Sequence, residues 1–357
     1  MIDLNLRRPN YGGRVSYKVG IDVSGGDYAP KEIIKGAMLA KQEFGADTVL
    51  IGRVEEIEEQ LSLYGCSSHD FSLVDAPQNI EMAESPAASI RRKKKSSIVV
   101  GTSLLKEKKI DAFVSCGNTG AVVCASTLIL GLIEGVERPG IALMLPTKKG
   151  ISLVVDVGAN IDCKPLHLFQ YGIMASVYYK LVLNKKDPTV ALLNIGEEAT
   201  KGSEILKNLH QLFYSSSLNF KGNLEARDIL SGKYDCIICD GFVGNVALKV
   251  VEGSAETVGR FLVETIGRGF WGKLNLFMIK NRLKKFKGLL DYAEYGGAPL
   301  LGVEGIVIIG HGRSNHLAVK NAIKVALREV ERNLTTEINR RVNEICQDSG
   351  VRQMLAP

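Results

Sequence analysis

Six times along this 357-residue chain a short apolar run stops abruptly in a loop of small, hydrogen-bonding residues. The six are Val19–Asp27, Ala112–Gly120, Leu153–Asn160, Ala191–Glu198, Cys236–Asn245 and Ile306–Asn315. They are rich in Val, Ile and Leu and do not alternate with polar residues, the pattern of strands covered on both faces. Open α/β sheets hold their ligands in Gly/Asn/Asp loops at the carboxyl ends of such strands. Glycine lets the backbone come close to an anion, and bare N–H groups beside a helix N-terminus favour negative charge. The pattern predicts an α/β enzyme whose site is assembled from several strand ends.

Between these runs the sequence has helical periodicity. Helices are expected over Lys31–Phe44, Val54–Tyr64, Ile98–Leu105, Leu166–Leu183, Ser203–Ser215 and Ala247–Ile266, with a further strand at Thr48–Ile51. Strands alternating with helices of this length imply βαβ units and a largely parallel sheet. Charged residues at 24% and apolar ones at 45% are ordinary globular values. No repeat or low-complexity linker marks a domain boundary. Residues 1–16 read as a loose extension, 17–335 as one α/β domain and 336–357 as a C-terminal helix and tail.

Several chemistries are excluded by pattern. Seven scattered cysteines without framework spacing point to reduced thiols in a cytoplasmic protein. Cys236 and Cys239 form a CxxC, but inside an apparent strand, where residues three apart face opposite ways. Five histidines without HExxH or paired spacing make a catalytic zinc improbable, so no metal is expected. GEEATKGS (Gly196–Ser203) has the order Lys-Gly-Ser and not the Gly-Lys-Ser/Thr of a phosphate loop, and neither GxGxxG nor GxSxG occurs. The N-terminus has no apolar core of a signal peptide. Ala121–Ile133 is too short to cross a bilayer of about 30 Å and reads as a buried helix.

The net charge of +6 is modest, but basic residues cluster at Arg91–Lys95 and between Arg268 and Lys287. Within Phe270–Leu290, the residues Leu276, Ile279, Leu283, Phe286 and Leu290 recur at helical spacing with Lys280, Lys284 and Lys287 alongside. Upstream lie Phe270, Trp271, Leu274 and Phe277. This pattern fits an interfacial membrane helix and equally a core or dimer-interface helix with a solvated basic edge.

What remains for the site is a set of polar groups suited to holding an anion and polarising a carbonyl. Lys201 follows a strand-end loop, where its charge would offset phosphate. Asn245 sits at an expected helix start, where an amide and free N–H groups would face a developing oxyanion. Asn118, Thr119 and Asn160 offer similar donors, although each Asn is equally suited to capping a helix or closing a turn. His311 is the one histidine in a strand-end loop.

Seven blocks, in order, resemble the bacterial phosphate acyltransferase family of phospholipid synthesis. They are residues 24–30 (SGGDYAP), 91–97 (RRKKKSS), 115–121 (SCGNTGA), 156–165 (DVGANIDCKP), 194–204 (NIGEEATKGSE), 239–249 (CDGFVGNVALK) and 295–315. The likeness extends over roughly residues 17–335. Ser24-Gly25-Gly26-Asp27-Tyr28 stands where the family usually has Met-Gly-Gly-Asp-His, and Lys95 where it usually has Asp.

The resemblance implies a three-layer α/β/α sandwich related to phosphate acetyltransferase and to isocitrate and isopropylmalate dehydrogenases. It implies transfer of a long-chain acyl group from acyl carrier protein to inorganic phosphate, with no metal and no organic cofactor. It further implies a homodimer, peripheral contact with the cytoplasmic membrane, and delivery of acyl phosphate to a glycerol-3-phosphate acyltransferase. Carried over residue by residue, the catalytic pair falls on Lys201 and Asn245. Binding positions fall on Gly25, Gly26, Asp27, Asn118, Thr119, Asn160, Lys164, Glu197 and His311. Trp271, Leu274, Phe277, Lys280 and Lys284 would then meet the membrane. Rival readings are a coenzyme A-dependent acetyl- or butyryltransferase, a metal-dependent hydroxyacid dehydrogenase, and a scaffold for anionic lipid or nucleic acid. The basic runs lack interleaved aromatic platforms, so no nucleic acid partner is expected.

Overall fold

The computed structural model describes residues 17–266 and 296–346. The extension 1–16 and the basic segment with Trp271, Leu274, Phe277, Lys280 and Lys284 lie outside the described residues. Eleven strands form one sheet in the order β3-β2-β1-β4-β11-β10-β5-β6-β9-β7-β8. They are β1 Lys18–Asp22, β2 Asp47–Gly52, β3 Ser72–Asp75, β4 Ala112–Ser115, β5 Gly140–Thr147 and β6 Gly150–Val155. The rest are β7 Val190–Asn194, β8 Phe220–Glu225, β9 Cys236–Ile238, β10 Ala298–Leu301 and β11 Ile306–Ile309. Each of the six apolar runs supplies a strand.

The helices are α1 Lys31–Phe44, α2 Val54–Leu63, α3 Pro86–Arg92, α4 Ser97–Lys106 and α5 Thr119–Ala125. They continue as α6 Pro165–Val182, α7 Glu204–Tyr214, α8 Gly241–Ile266, α9 His316–Glu331 and α10 Leu334–Cys346. Successive strand residues face opposite ways, and two separate apolar cores result. Ala112 and Val114 of β4 join Ile33 of α1, Phe169 of α6 and Ile323 of α9 on one face. Phe113 joins Ile98 of α4 and Val122 of α5 on the other. The architecture is therefore the three-layer α/β/α sandwich. Cys236 belongs to the first core and Cys239 to the second, as strand geometry requires of a CxxC there.

The sheet consists of two parallel halves running in opposite directions. Parallel pairing links β3, β2, β1, β4 and β11 in one half and β6, β9, β7 and β8 in the other. The antiparallel pairs β11–β10, β10–β5 and β5–β6 sit together at the junction. There β10 pairs through Ala298 with Ile309, at the carboxyl end of β11, and through Leu300 with Ile141 of β5. One residue on, Ala142 pairs with Val155, the carboxyl end of β6. The carboxyl ends of both halves thus flank one short junction, and the loops leaving them face each other. The expected C-terminal helix is α10, packed on α6, and residues 347–357 lie outside the described residues.

Candidate active site

The first wall of the junction is built on Asp22, the last residue of β1. Its buried carboxylate accepts the Ser24 N–H at 3.1 Å and the Ser115 hydroxyl at 2.6 Å, tying the loop after β1 to the end of β4. Burial pushes the Asp22 carboxyl above its ordinary range, against these hydrogen bonds. Gly25 packs so closely on the loop after β4 that a Cβ there would lie 2.6 Å from the Gly117 nitrogen. The Asp27 N–H donates to the Gly312 carbonyl at 2.7 Å, which joins the loop after β11. Asn118 caps α5 through Oδ1, while its Nδ2 donates to the carbonyls of Glu81, Met82 and Glu84. This side chain is fully occupied in holding the 81–84 loop over the site.

Asp156 after β6 does the same for the second wall. Its Oδ1 accepts the N–H groups of Ile141, Gly158 and Ala159 at 3.0, 3.1 and 3.0 Å, and Oδ2 accepts that of Asn160 at 2.7 Å. Burial raises this carboxyl too, with the N–H groups opposing. The Asn160 amide turns inward, donating to the Pro139 carbonyl at 2.5 Å and the Tyr171 hydroxyl at 2.8 Å. Helix α8 then docks on this loop. Gly241 N–H donates to the Asn160 carbonyl at 2.8 Å, and a Cβ on Gly244 would overlap the Asp156 carbonyl oxygen.

Here the structure corrects the expected start of α8. The helix begins at Gly241 and not near Ala247, and Asp240 caps it, its Oδ1 accepting the Val243 N–H at 2.8 Å. Asn245 is therefore in the second helical turn, where backbone N–H groups are intrahelical, and only its side chain is available. That side chain is exposed, has no hydrogen-bond partner among the described residues, and stands over Gly158, whose φ of +140° suits glycine.

Between the walls lies a cleft of about 430 Å³. Its apolar lining includes Ile141, Leu143, Val157, Leu248, Ala298 and Ile309, from both halves of the sheet. Its polar side brings together Asp27, Thr119, Asn245 and His311. A hollow of about 310 Å³ between α6 and α10 touches none of these loops.

The sequence relatives show the family. Residues 17–337 match the family described as "Fatty acid synthesis protein". The "Phosphate acyltransferase" of Pelotomaculum thermopropionicum is 46% identical over 328 residues, covering 92% of this chain and 96% of that protein. The chain belongs to the phosphate acyltransferase family. It is an acyltransferase of fatty acid and phospholipid synthesis. A phosphotransacetylase from Streptococcus pyogenes shares the fold, with a TM-score of 0.60 at 16% identity over 88% of this chain and 94% of that one. A putative 4-hydroxythreonine-4-phosphate dehydrogenase from Salmonella typhimurium shares it at a TM-score of 0.50 and 16% identity, over 88% and 99% of the chains.

The acyltransferase's other expected site residues stand apart from the cleft. Lys201 and Glu197 are exposed on the loop after β7 and do not line it. That loop is pinned from beneath by the Asn194 amide on the Lys201 carbonyl at 3.0 Å and by the Asn223 amide on the Glu198 carbonyl at 2.8 Å. Lys164 is exposed at the N-cap of α6, and Asn160 is turned into the fold. Conversely, Met82, Lys249, Glu252 and Arg313 line the cleft without having been singled out. Lys249 was legible, since it follows Asn245 by one helical turn inside a conspicuous block.

His311 Nδ1 accepts the Arg313 N–H at 3.1 Å, so the neutral ring carries its proton on Nε2. Burial, and then the Lys249 ammonium, hold its pKa below the ordinary histidine value. Cys116 borders the cleft, but burial pushes its thiol up to about 12, and Cys163 is pushed to about 11. Neither is a nucleophile at neutral pH. Among the described residues no group of His, Cys, Asp and Glu is arranged to hold a metal ion.

Proposed function

We propose that this enzyme transfers a long-chain acyl group from acyl carrier protein to inorganic phosphate. The observation that carries the reading is the cleft itself, in which an unpartnered Asn245 amide faces apolar walls contributed by both halves of the sheet. A thioester is already activated, so catalysis consists mainly of holding phosphate against the carbonyl and stabilising the oxyanion. An oxygen of hydrogenphosphate attacks the carbonyl carbon and the C–S bond breaks. The phosphate proton ends on the carrier sulfur, giving acyl phosphate and free thiol. Asn245 donates to the carbonyl oxygen as charge develops there. The apolar walls hold the first carbons of the chain, and the buried Asp22 and Asp156 keep both walls in place.

Asp27, Thr119 and His311 form the polar rim around the reacting phosphate in this scheme, with Gly25 and Gly26 in the loop that carries Asp27. Lys201, whose ammonium has no carboxylate partner among the described residues, stands outside this cleft on the loop after β7, two strands beyond β6. The deciding experiment measures phosphate-dependent release of carrier thiol from palmitoyl-acyl carrier protein. Asn245→Ala should lower the rate about 10²–10³-fold, the usual effect of removing one oxyanion donor. A loss below tenfold rejects that role, and turnover only with coenzyme A thioesters rejects the carrier as donor.

The outer part of α8 supports two further elements of the reading. Val258, Phe261 and Leu262 are exposed at helical spacing on one side of it. We assign this face to a second copy of the chain, and the following basic segment to the surface of an anionic membrane, where acyl phosphate is released to a glycerol-3-phosphate acyltransferase. Among the described residues no helix is long and apolar enough to cross a membrane. A monomer in sedimentation velocity, or failure to float with anionic vesicles, removes the corresponding element.

A further inference from the structure

Resting on this reading of the cleft, we infer that Lys249 is the cation that binds the reacting phosphate, with Glu252 accepting that phosphate's hydroxyl. Lys249 lies four residues beyond Asn245, so the two side chains stand one above the other on the same face of α8. Both line the cleft, which Lys201 does not. The charge of Lys249 is felt at His311 on the opposite wall, where it lowers the affinity of the ring for a proton. An anion between α8 and the loop after β11 therefore meets this ammonium and the Asn245 amide together.

Glu252 supplies the independent observation. Its Oε2 holds the Lys249 ammonium at 2.8 Å, which aims that long side chain along the helix face. Its Oε1 is buried and has no hydrogen-bond partner among the described residues. A buried, unsatisfied carboxylate oxygen is costly to leave alone, and a donor is what it lacks. Hydrogenphosphate offers both halves of the match, oxygen anions for the ammonium and one O–H for the orphaned acceptor. In the transfer the C–O bond forms from another phosphate oxygen as the C–S bond breaks. Glu252 holds the hydroxyl proton in place until the leaving sulfur takes it up.

The test separates the two substrates. In steady-state assays with palmitoyl-acyl carrier protein, Lys249→Met should raise the KM for phosphate about tenfold to a hundredfold, the range for one charged hydrogen bond. The KM for the carrier should stay within about twofold, and Lys249→Arg should recover part of the loss. Glu252→Gln, which loses an acceptor but keeps the shape, should raise the phosphate KM and shift its pH dependence. Stabilisation of the wild type by inorganic phosphate in thermal melting should disappear in Lys249→Met, a readout that needs no acyl donor. An unchanged phosphate KM and unchanged phosphate stabilisation in a folded Lys249→Met overturns the assignment. If the wild type is stabilised by phosphate through Lys249 yet releases no carrier thiol, the assignment stands and the acyl donor is wrong.

Discussion

A carboxyl group buried as deeply as that of Glu329 in α9 cannot ionise without losing the solvation that water supplies. Burial pushes it well above the usual carboxylate range, and the neighbouring Tyr178 hydroxyl offsets only part of this. It is thus protonated in the folded enzyme at pH values where the unfolded chain has it ionised. Folding then binds a proton, so stability is present at low pH and is lost as pH rises above the unfolded value of about 4.3. For one proton the slope is at most about 1.4 kcal/mol per pH unit. Glu329→Gln should melt higher than wild type at pH 8, with a smaller difference at pH 5. Parallel melting curves across that range contradict it. The same scale limits what sequence conveys about the site. Asn118, Asn160 and Asn245 are one residue type in similar sequence blocks, yet two are held inside the fold by carbonyls and a hydroxyl. Only the arrival of α8 over Gly158 leaves the third exposed to the cleft.

At the scale of elements, α8 is placed by its glycines. Gly244 touches the Asp156 carbonyl where no Cβ fits, whereas a Cβ on Gly253, farther along the same helix, would meet nothing among the described residues. Gly244→Ala should destabilise by about 1–3 kcal/mol as an overpacked contact and displace Asn245, lowering the transfer rate as well. Gly253→Ala should instead stabilise by about 0.5–1 kcal/mol through helix propensity. Chemical denaturation of both variants checks this, and equal midpoints would mean that α8 does not depend on the close approach. Most elements were legible because they bury apolar residues in a simple period. Lys31–Phe44 is a helix with the expected limits, and the six apolar runs are strands. The strands β3, β5, β8 and β10 were not anticipated. β8 (FKGNLE) is a half-buried edge without an apolar run, and β10 is only Ala298–Leu301. β5 has the apolar run but ends in a hairpin at Lys148 and Lys149, without the polar loop that marked the others.

Only the whole molecule explains why Lys201 and Asn245, read together from the sequence, are not together at the cleft. The order β6-β9-β7 leaves the loop after β7 two strands beyond β6, about 10 Å at the usual strand spacing. Strand order is set by which edges pair, and the opposed direction of the two halves depends on β10 and β5, neither of which ends in the polar loop that marked the other strands. The molecule's charge is also organised at this scale. Arg92 and Lys93 pair with Glu84, whose carboxyl Lys93 and Ser89 hold down at about 2. This fixes α3 to the 81–84 loop, whose Met82 lines the cleft. Lys94 and Lys95, exposed beside them, have no carboxylate partner among the described residues. Unpaired lysines on a net positive protein, next to the residues that anchor the 81–84 loop, would steer an acidic partner, and such steering is screened within about 8–10 Å by salt. Lys94→Glu with Lys95→Glu should therefore raise the KM for acyl carrier protein and flatten its salt dependence, leaving the phosphate KM and the melting temperature unchanged. Charge reversal at Lys93 should lower the melting temperature, because Glu84 loses the ammonium that anchors the loop. A wild-type carrier KM that does not rise with salt would remove the steering role and return the basic run to a solvated face.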